Sequence, residues 1–143
     1  RLLLRFNVAD PTSIHPPSGK FGADPENVAP HLLKHAAEMG IDIVGVSFHV
    51  GSGCNDPSVY RVALQHARNL FDIGLKLGHK MEIVDIGGGF PGAKHRDGLF
   101  EQMASVIRSA IDEFFPNSGV RFIAEPGRFF ARSLCTLVAN VIS

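Results

Sequence analysis

Four short clusters hold the residues with the greatest chemical reach: Arg5; His49 with Gly51, Ser52 and Gly53; the run Gly87-Gly88-Gly89-Phe90-Pro91-Gly92; and Glu125-Pro126-Gly127-Arg128. Glycines lack a Cβ, so a run of them exposes backbone N–H groups as a nest for a phosphate. Arg128 adds a permanent charge for the same anion, and Glu125 adds a carboxylate. His49 stands between Phe48 and Val50, where a satisfied core histidine is the ordinary reading. The hydroxyl and glycines that follow shift it toward a ring lying against a flat ligand. The plain structural readings of the other clusters are a sharp turn at the glycines and a salt bridge or capped turn at Glu125 to Arg128. Gly87 to Gly92 also matches G-x-G-x-x-G formally, but Pro91 stands where a dinucleotide fold opens its helix, and helical periodicity resumes only near Gly98. The acid expected about 20 residues on falls near Asp112, inside a helix rather than ending a strand.

The elements that must carry these clusters alternate. Residues 2–6, 41–50, 81–86 and 120–124 read as strands, and residues 41–50 are β-branched and mostly apolar, as a strand covered on both faces is. A fifth apolar stretch, residues 137–142, also reads as a buried strand. Asp24-Pro25-Glu26 opens a helix whose apolar face is Val28, Leu32, Leu33, Ala36, Ala37 and Met39, and Gly40 stops it. Asp56-Pro57 opens a second helix, with Val59, Val62, Ala63, Leu70 and Phe71 inward and Gly78 as terminator. A third begins near Gly98, turns Phe100, Met103, Ile107, Ala110, Ile111 and Phe114 to one side, and ends at Pro116. Connections this long require parallel strands. An open doubly wound sheet and part of a (β/α)8 barrel both fit, and both bind ligands at the carboxyl ends of their strands. The four clusters fall at those ends. A single planar, phosphorylated heteroaromatic would use all of them, and pyridoxal phosphate fits: phosphate on the glycines and Arg128, ring on His49, pyridine nitrogen on Glu125.

Composition narrows the classes. The chain has 143 residues, with 14 Lys and Arg against 14 Asp and Glu. Without a basic block a nucleic-acid partner is disfavoured, and no apolar run has the ~20 residues a bilayer requires. Two cysteines, Cys54 and Cys135, read as ordinary thiols and set a reduced, cytoplasmic expectation. His31 and His35 share a helix face at metal-ligand spacing, but no carboxylate is expected beside them, so a solvated face is the reading and no metal is expected. Apolar strands at both ends suggest a segment of a longer chain.

Taken together, residues 45–54, 85–92 and 125–128 resemble the barrel domain of eukaryotic ornithine decarboxylases, in the group that includes diaminopimelate and arginine decarboxylases. The resemblance runs from Arg5 through Ile142. It implies an alanine-racemase-like (β/α)8 TIM-type barrel, of which residues 1–143 are about four central βα units. By carry-over, His49 stacks on the pyridoxal ring. Ser52, Gly87, Gly88 and Gly89 contact the phosphate, which Arg128 pairs within the Glu125-Pro126-Gly127-Arg128 turn, and Glu125 meets the pyridine nitrogen. Arg5 orders the acids around the cofactor, and Lys20 makes a salt bridge across a homodimer interface. The loop of residues 10–19, with Pro16-Pro17, departs from many relatives. The lysine that holds the cofactor covalently, the catalytic cysteine and the substrate-binding acids are expected outside this segment, which therefore should not act alone. The implied activity of the parent is decarboxylation of ornithine to putrescine. A non-catalytic relative binding the antizyme-type inhibitor protein, or a lysine, arginine or diaminopimelate decarboxylase, is the alternative.

Overall fold

The computed structural model describes residues 1–8, 21–92, 97–117, 119–134, 136 and 138–140. Strands and helices alternate as β1 (Leu2–Arg5), α1 (Ala29–Glu38), β2 (Ile43–Ser47), α2 (Ser58–Lys76), β3 (Ile83–Asp85), α3 (Asp97–Phe114), β4 (Arg121–Ile123) and α4 (Gly127–Ala131). All strand pairs are parallel, and the sheet order is β1-β2-β3-β4. That order separates the two architectures. A doubly wound sheet reverses at a switch point, whereas a barrel lays each new strand beside the last. Four strands in unbroken sequence follow the barrel.

Local chemistry explains where the elements begin and end. Asp24 Oδ1 accepts the backbone N–H groups of Glu26 at 3.0 Å and Asn27 at 2.7 Å. These bonds hold residues 24–28 in a turn, so the helix proper starts at Ala29 rather than at Pro25. Short polar side chains compete with the helical ladder in this way. Ser58 N–H donates to Asp56 Oδ1 at 2.9 Å at the start of α2, as its Asp-Pro signal predicts. Both helices close with the same paired bonds. In α1 Ile41 N–H reaches Ala36 O at 2.8 Å and Gly40 N–H reaches Ala37 O at 3.0 Å; in α2 His79 N–H reaches Gly74 O and Gly78 N–H reaches Leu75 O.

The core lies on α2, where Tyr60, Ala63, Leu64, Ala67 and Leu70 are fully buried against β2, α1 and α3. The expected apolar face of α1 is only partly used. Ala29 and Leu33 are buried, but Val28, Leu32 and Met39 are exposed, and so is Val62 of α2. No element among the described residues packs over them. Of the stretch expected as a fifth strand, only residues 138–140 are described; they form no ladder with the described strands, and Val138 is 87% exposed. Apolar composition alone does not make a strand, because the backbone also needs a partner, and among the described residues β4 is the last strand of the sheet. The other strands are shorter than expected. Residues 48–50, 86–89 and 124–125, just past the carboxyl ends of β2, β3 and β4, form the rim.

Candidate cofactor site

Each predicted cluster stands at the same end of the sheet. Arg5 ends β1, and His49, Gly87 and Glu125 follow the last residues of β2, β3 and β4. Beyond the strands the backbone stays stitched. Phe6 N–H donates to Ser47 O at 3.0 Å, Phe48 N–H to Asp85 O at 3.0 Å, Ile86 N–H to Ile123 O at 2.8 Å and Glu125 N–H to Gly87 O at 2.7 Å. The loops are therefore held by the same ladder that orders the strands.

The glycine run is wedged between the loops after β2 and β4. A Cβ on Gly88 would lie 2.7 Å from the Glu125 carbonyl oxygen and 3.3 Å from His49 Nε2. Gly89 has φ +118°, and a Cβ there would meet Val50 Cγ2 at 2.6 Å and the Tyr60 hydroxyl at 2.9 Å. Any side chain at either position would push the loops apart. Gly87 N–H is held by the buried Asp85 carboxylate at 2.9 Å. Among the described residues the N–H groups of Gly88 and Gly89 have no hydrogen-bond partner. Two backbone donors at the rim are thus left without a partner among the described residues.

His49 is half-buried, and its Nδ1 accepts the Gly51 N–H at 2.9 Å. The ring proton is therefore on Nε2, beside the bare face of Gly88. Burial pulls the His49 pKa below its ordinary value, and the positive charge of Arg5 adds to the shift; Glu125 and Asp85 oppose it. A neutral, flat imidazole results. The Arg5 guanidinium lies 5.3 Å over the Phe21 ring. Ser52 is half-buried in the loop after His49. Pro126 has φ −79° and ψ 54°, and Gly127 N–H returns to Glu125 O at 2.8 Å, an inverse γ-turn. The predicted turn is present, but the alternative Glu125–Arg128 salt bridge is not: among the described residues neither side chain forms an ion pair.

Other expectations fall differently. Lys20, the loop of residues 10–19 and Cys135 lie outside the described residues. Cys54 is buried, with its Sγ 3.3 Å from the Asp56 carbonyl oxygen. His31 and His35 are exposed, but a carboxylate does accompany them, since Glu38 reaches His35 at 3.6 Å. The spacing of three residues on a helix was the overlooked signal. Sequence reasoning also missed two residues that build the cradle. Tyr60 is buried and donates its hydroxyl to Gly88 O at 3.1 Å. Asp85 holds Gly87. The signals were an acid closing an apolar strand directly before the glycines, and the chain's single tyrosine at helical spacing from Ala63, Leu64 and Ala67.

Residues 1–132 match the family described as pyridoxal-dependent decarboxylase, pyridoxal binding domain. The chain belongs to it. Ornithine decarboxylase of Caenorhabditis elegans is 61% identical over 99% of this chain, which covers 33% of that protein. Antizyme inhibitor 2 of Xenopus laevis is 44% identical over 100% of this chain and is covered to 31%. Among solved structures, the Paramecium bursaria Chlorella virus arginine decarboxylase bound to agmatine superposes with TM-score 0.82 at 40% identity, covering 91% of this chain and 34% of that one. The chain thus spans about a third of the length of the curated relatives it matches. Within this pyridoxal-binding domain the described sheet is part of the barrel, and the cofactor is pyridoxal phosphate.

The residues present fit that group. A phosphate is matched by the two unpartnered glycine N–H donors and by a guanidinium without an ion pair. A flat ring is matched by the half-buried imidazole, and a ring nitrogen by a carboxylate also left without an ion pair. Among the described lysines, Lys34, Lys76 and Lys80 are exposed and none is at the rim.

Proposed function

We propose that the protein containing this chain is a pyridoxal-phosphate-dependent decarboxylase acting on ornithine, and that this segment grips the ring and phosphate of the cofactor. The observation that carries the reading is the convergence of His49, Gly87 to Gly89 and Glu125 from three strands onto one rim, within hydrogen-bonding distance of one another's loops. Pyridoxal phosphate, when bound, supplies an electron sink for the charge left behind as CO2 departs. The chain's own residues hold and tune it. Gly88 and Gly89 donate to the phosphate with Arg128, and Ser52 adds a hydroxyl. Glu125 accepts a hydrogen bond from the pyridine nitrogen and keeps its proton in place. His49, held neutral by burial, lies against the ring without setting one cation on another. Arg5 orders the acids around the ring.

Ornithine is favoured over arginine or lysine by the 61% identity to a relative named ornithine decarboxylase. A non-catalytic role like that of an antizyme inhibitor is the second reading, supported by the 44% relative of that name. It is disfavoured by the intact grip, because a chain that binds no cofactor has no use for Arg128 or for bare glycines at the rim. A homodimer, assembled in part through Lys20, and a reduced cytoplasmic setting complete the proposal, along with an amino-acid substrate site and a cofactor-holding lysine supplied outside residues 1–143. The deciding experiment adds pyridoxal phosphate to the full-length protein, looks for the absorption band of the enzyme-held cofactor near the visible edge, and then measures CO2 release from ornithine, lysine and arginine. A band with release chiefly from ornithine is expected. Absence of the band removes the enzyme reading, and preference for another amino acid reassigns the substrate.

A further inference from the structure

Tyr60 is the one polar side chain of the α2 core, fully buried, and its ring is stacked on Phe90 at 5.5 Å. Its hydroxyl donates to the Gly88 carbonyl at 3.1 Å. That carbonyl and the Gly89 N–H belong to one planar peptide unit, and in a trans peptide the two point in opposite directions. Fixing the carbonyl toward α2 therefore fixes the Gly89 N–H away from α2. The same hydroxyl would be 2.9 Å from a Cβ on Gly89, so the bare glycine is also what lets the phenol approach. A diglycine peptide is otherwise among the least constrained in any chain, because both of its flanking residues lack a Cβ. We propose that Tyr60 is a positioning residue for phosphate recognition. By holding the Gly88–Gly89 peptide in one orientation, it presents the Gly89 N–H to the phosphate group before the ligand arrives. A preset donor loses less conformational freedom on binding, and that difference appears as affinity.

This inference rests on the pyridoxal-phosphate reading above, and its test separates the two. Tyr60→Phe keeps the ring and its stacking on Phe90 and removes only the hydroxyl. In the full-length protein, equilibrium binding of pyridoxal phosphate and of pyridoxal, which lacks the phosphate, would be measured for the wild type and for Tyr60→Phe. The expected result is a Kd for pyridoxal phosphate raised roughly three- to tenfold, the size of one neutral hydrogen bond, with the Kd for pyridoxal unchanged. The 31P resonance of bound cofactor should shift as well. Equal weakening of both ligands would show that Tyr60 only supports the core, and unchanged binding of both would show no role; either overturns the proposal. A wild type that binds neither ligand would overturn the cofactor reading and this inference with it.

Discussion

At the scale of single residues, the site divides into groups that hold the cofactor and groups that set its charge. Arg128 and Glu125 lie on either side of one γ-turn and should fail differently. Arg128→Ala removes a charge-assisted contact of the kind that contributes ~1.5–3 kcal/mol, so the Kd for pyridoxal phosphate should rise about tenfold or more. Glu125→Ala should leave that Kd within a few fold and instead lower kcat, because the pyridine nitrogen loses the acceptor that keeps it protonated. Binding titrations and turnover measured on the same preparations check both, and equal turnover in the Glu125 variant would contradict the assignment. The lowered pKa of His49 has a second consequence. Below about pH 6.5 the unfolded chain takes up a proton that the folded ring resists, so the unfolded state binds more protons there. Stability from this group is therefore full above that pH and is lost as pH falls toward the folded pKa. Urea midpoints should fall on acidification, and they should fall less in His49→Gln, which has no titrating ring.

Elements position these residues through contacts beneath the rim. A chain of aromatic rings runs under the loops: Phe6 to Phe48 at 5.4 Å, Phe48 to Tyr60 at 6.4 Å, Tyr60 to Phe90 at 5.5 Å, Phe90 to Phe100 at 6.1 Å and Phe100 to Phe129 at 4.6 Å. It links the end of β1, the loops after β2 and β3, α2, α3 and α4, so the loops rest on packed rings rather than on solvent. At the opposite end of the sheet, buried His79 ties three elements together. Its Nε2 lies 2.9 Å from the Leu33 carbonyl oxygen in α1, and its Nδ1 accepts Ile43 N–H of β2 at 3.4 Å. One tautomer satisfies both groups. His79→Ala would remove the acceptor of the buried Ile43 N–H and the second bond to the Leu33 carbonyl, and should cost about 1–3 kcal/mol in urea denaturation. Cofactor affinity should be spared, since His79 is far along the strands from the rim.

For the molecule as a whole, the pattern of exposure follows from the architecture. Among the described residues β1 and β4 are the edges of the sheet, and large apolar side chains are exposed in the elements next to both: Leu2, Val28, Leu32 and Met39 in β1 and around α1, and Phe129, Phe130, Leu134 and Val138 after β4. The middle, β2 and β3 with α2, carries the densest burial. Closing a sheet into a barrel pairs such edges and covers such side chains. The glycine run, carried by β3 with a neighbouring strand on each side, is the part of the site most firmly placed by the sheet.

The alternation of strands and helices, the Asp-Pro start at residue 56, the glycine stops at residues 40 and 78, and the gathering of His49, Gly87 to Gly89 and Glu125 at one end of the sheet were all legible in order and spacing. These depend on local propensity, capping and turn chemistry, which act over a few residues. Three things were not. The choice between barrel and doubly wound sheet depends on which strands become neighbours, and periodicity does not encode that. The exposure of Val62, Leu32 and Val138 depends on what packs opposite them, not on their own side chains. The role of Tyr60 depends on a backbone carbonyl, that of Gly88, arriving beside it from 28 residues along the chain. Only the folded sheet brings those groups within hydrogen-bond reach, because such a bond is made at about 3 Å and sequence separation says nothing about distances on that scale.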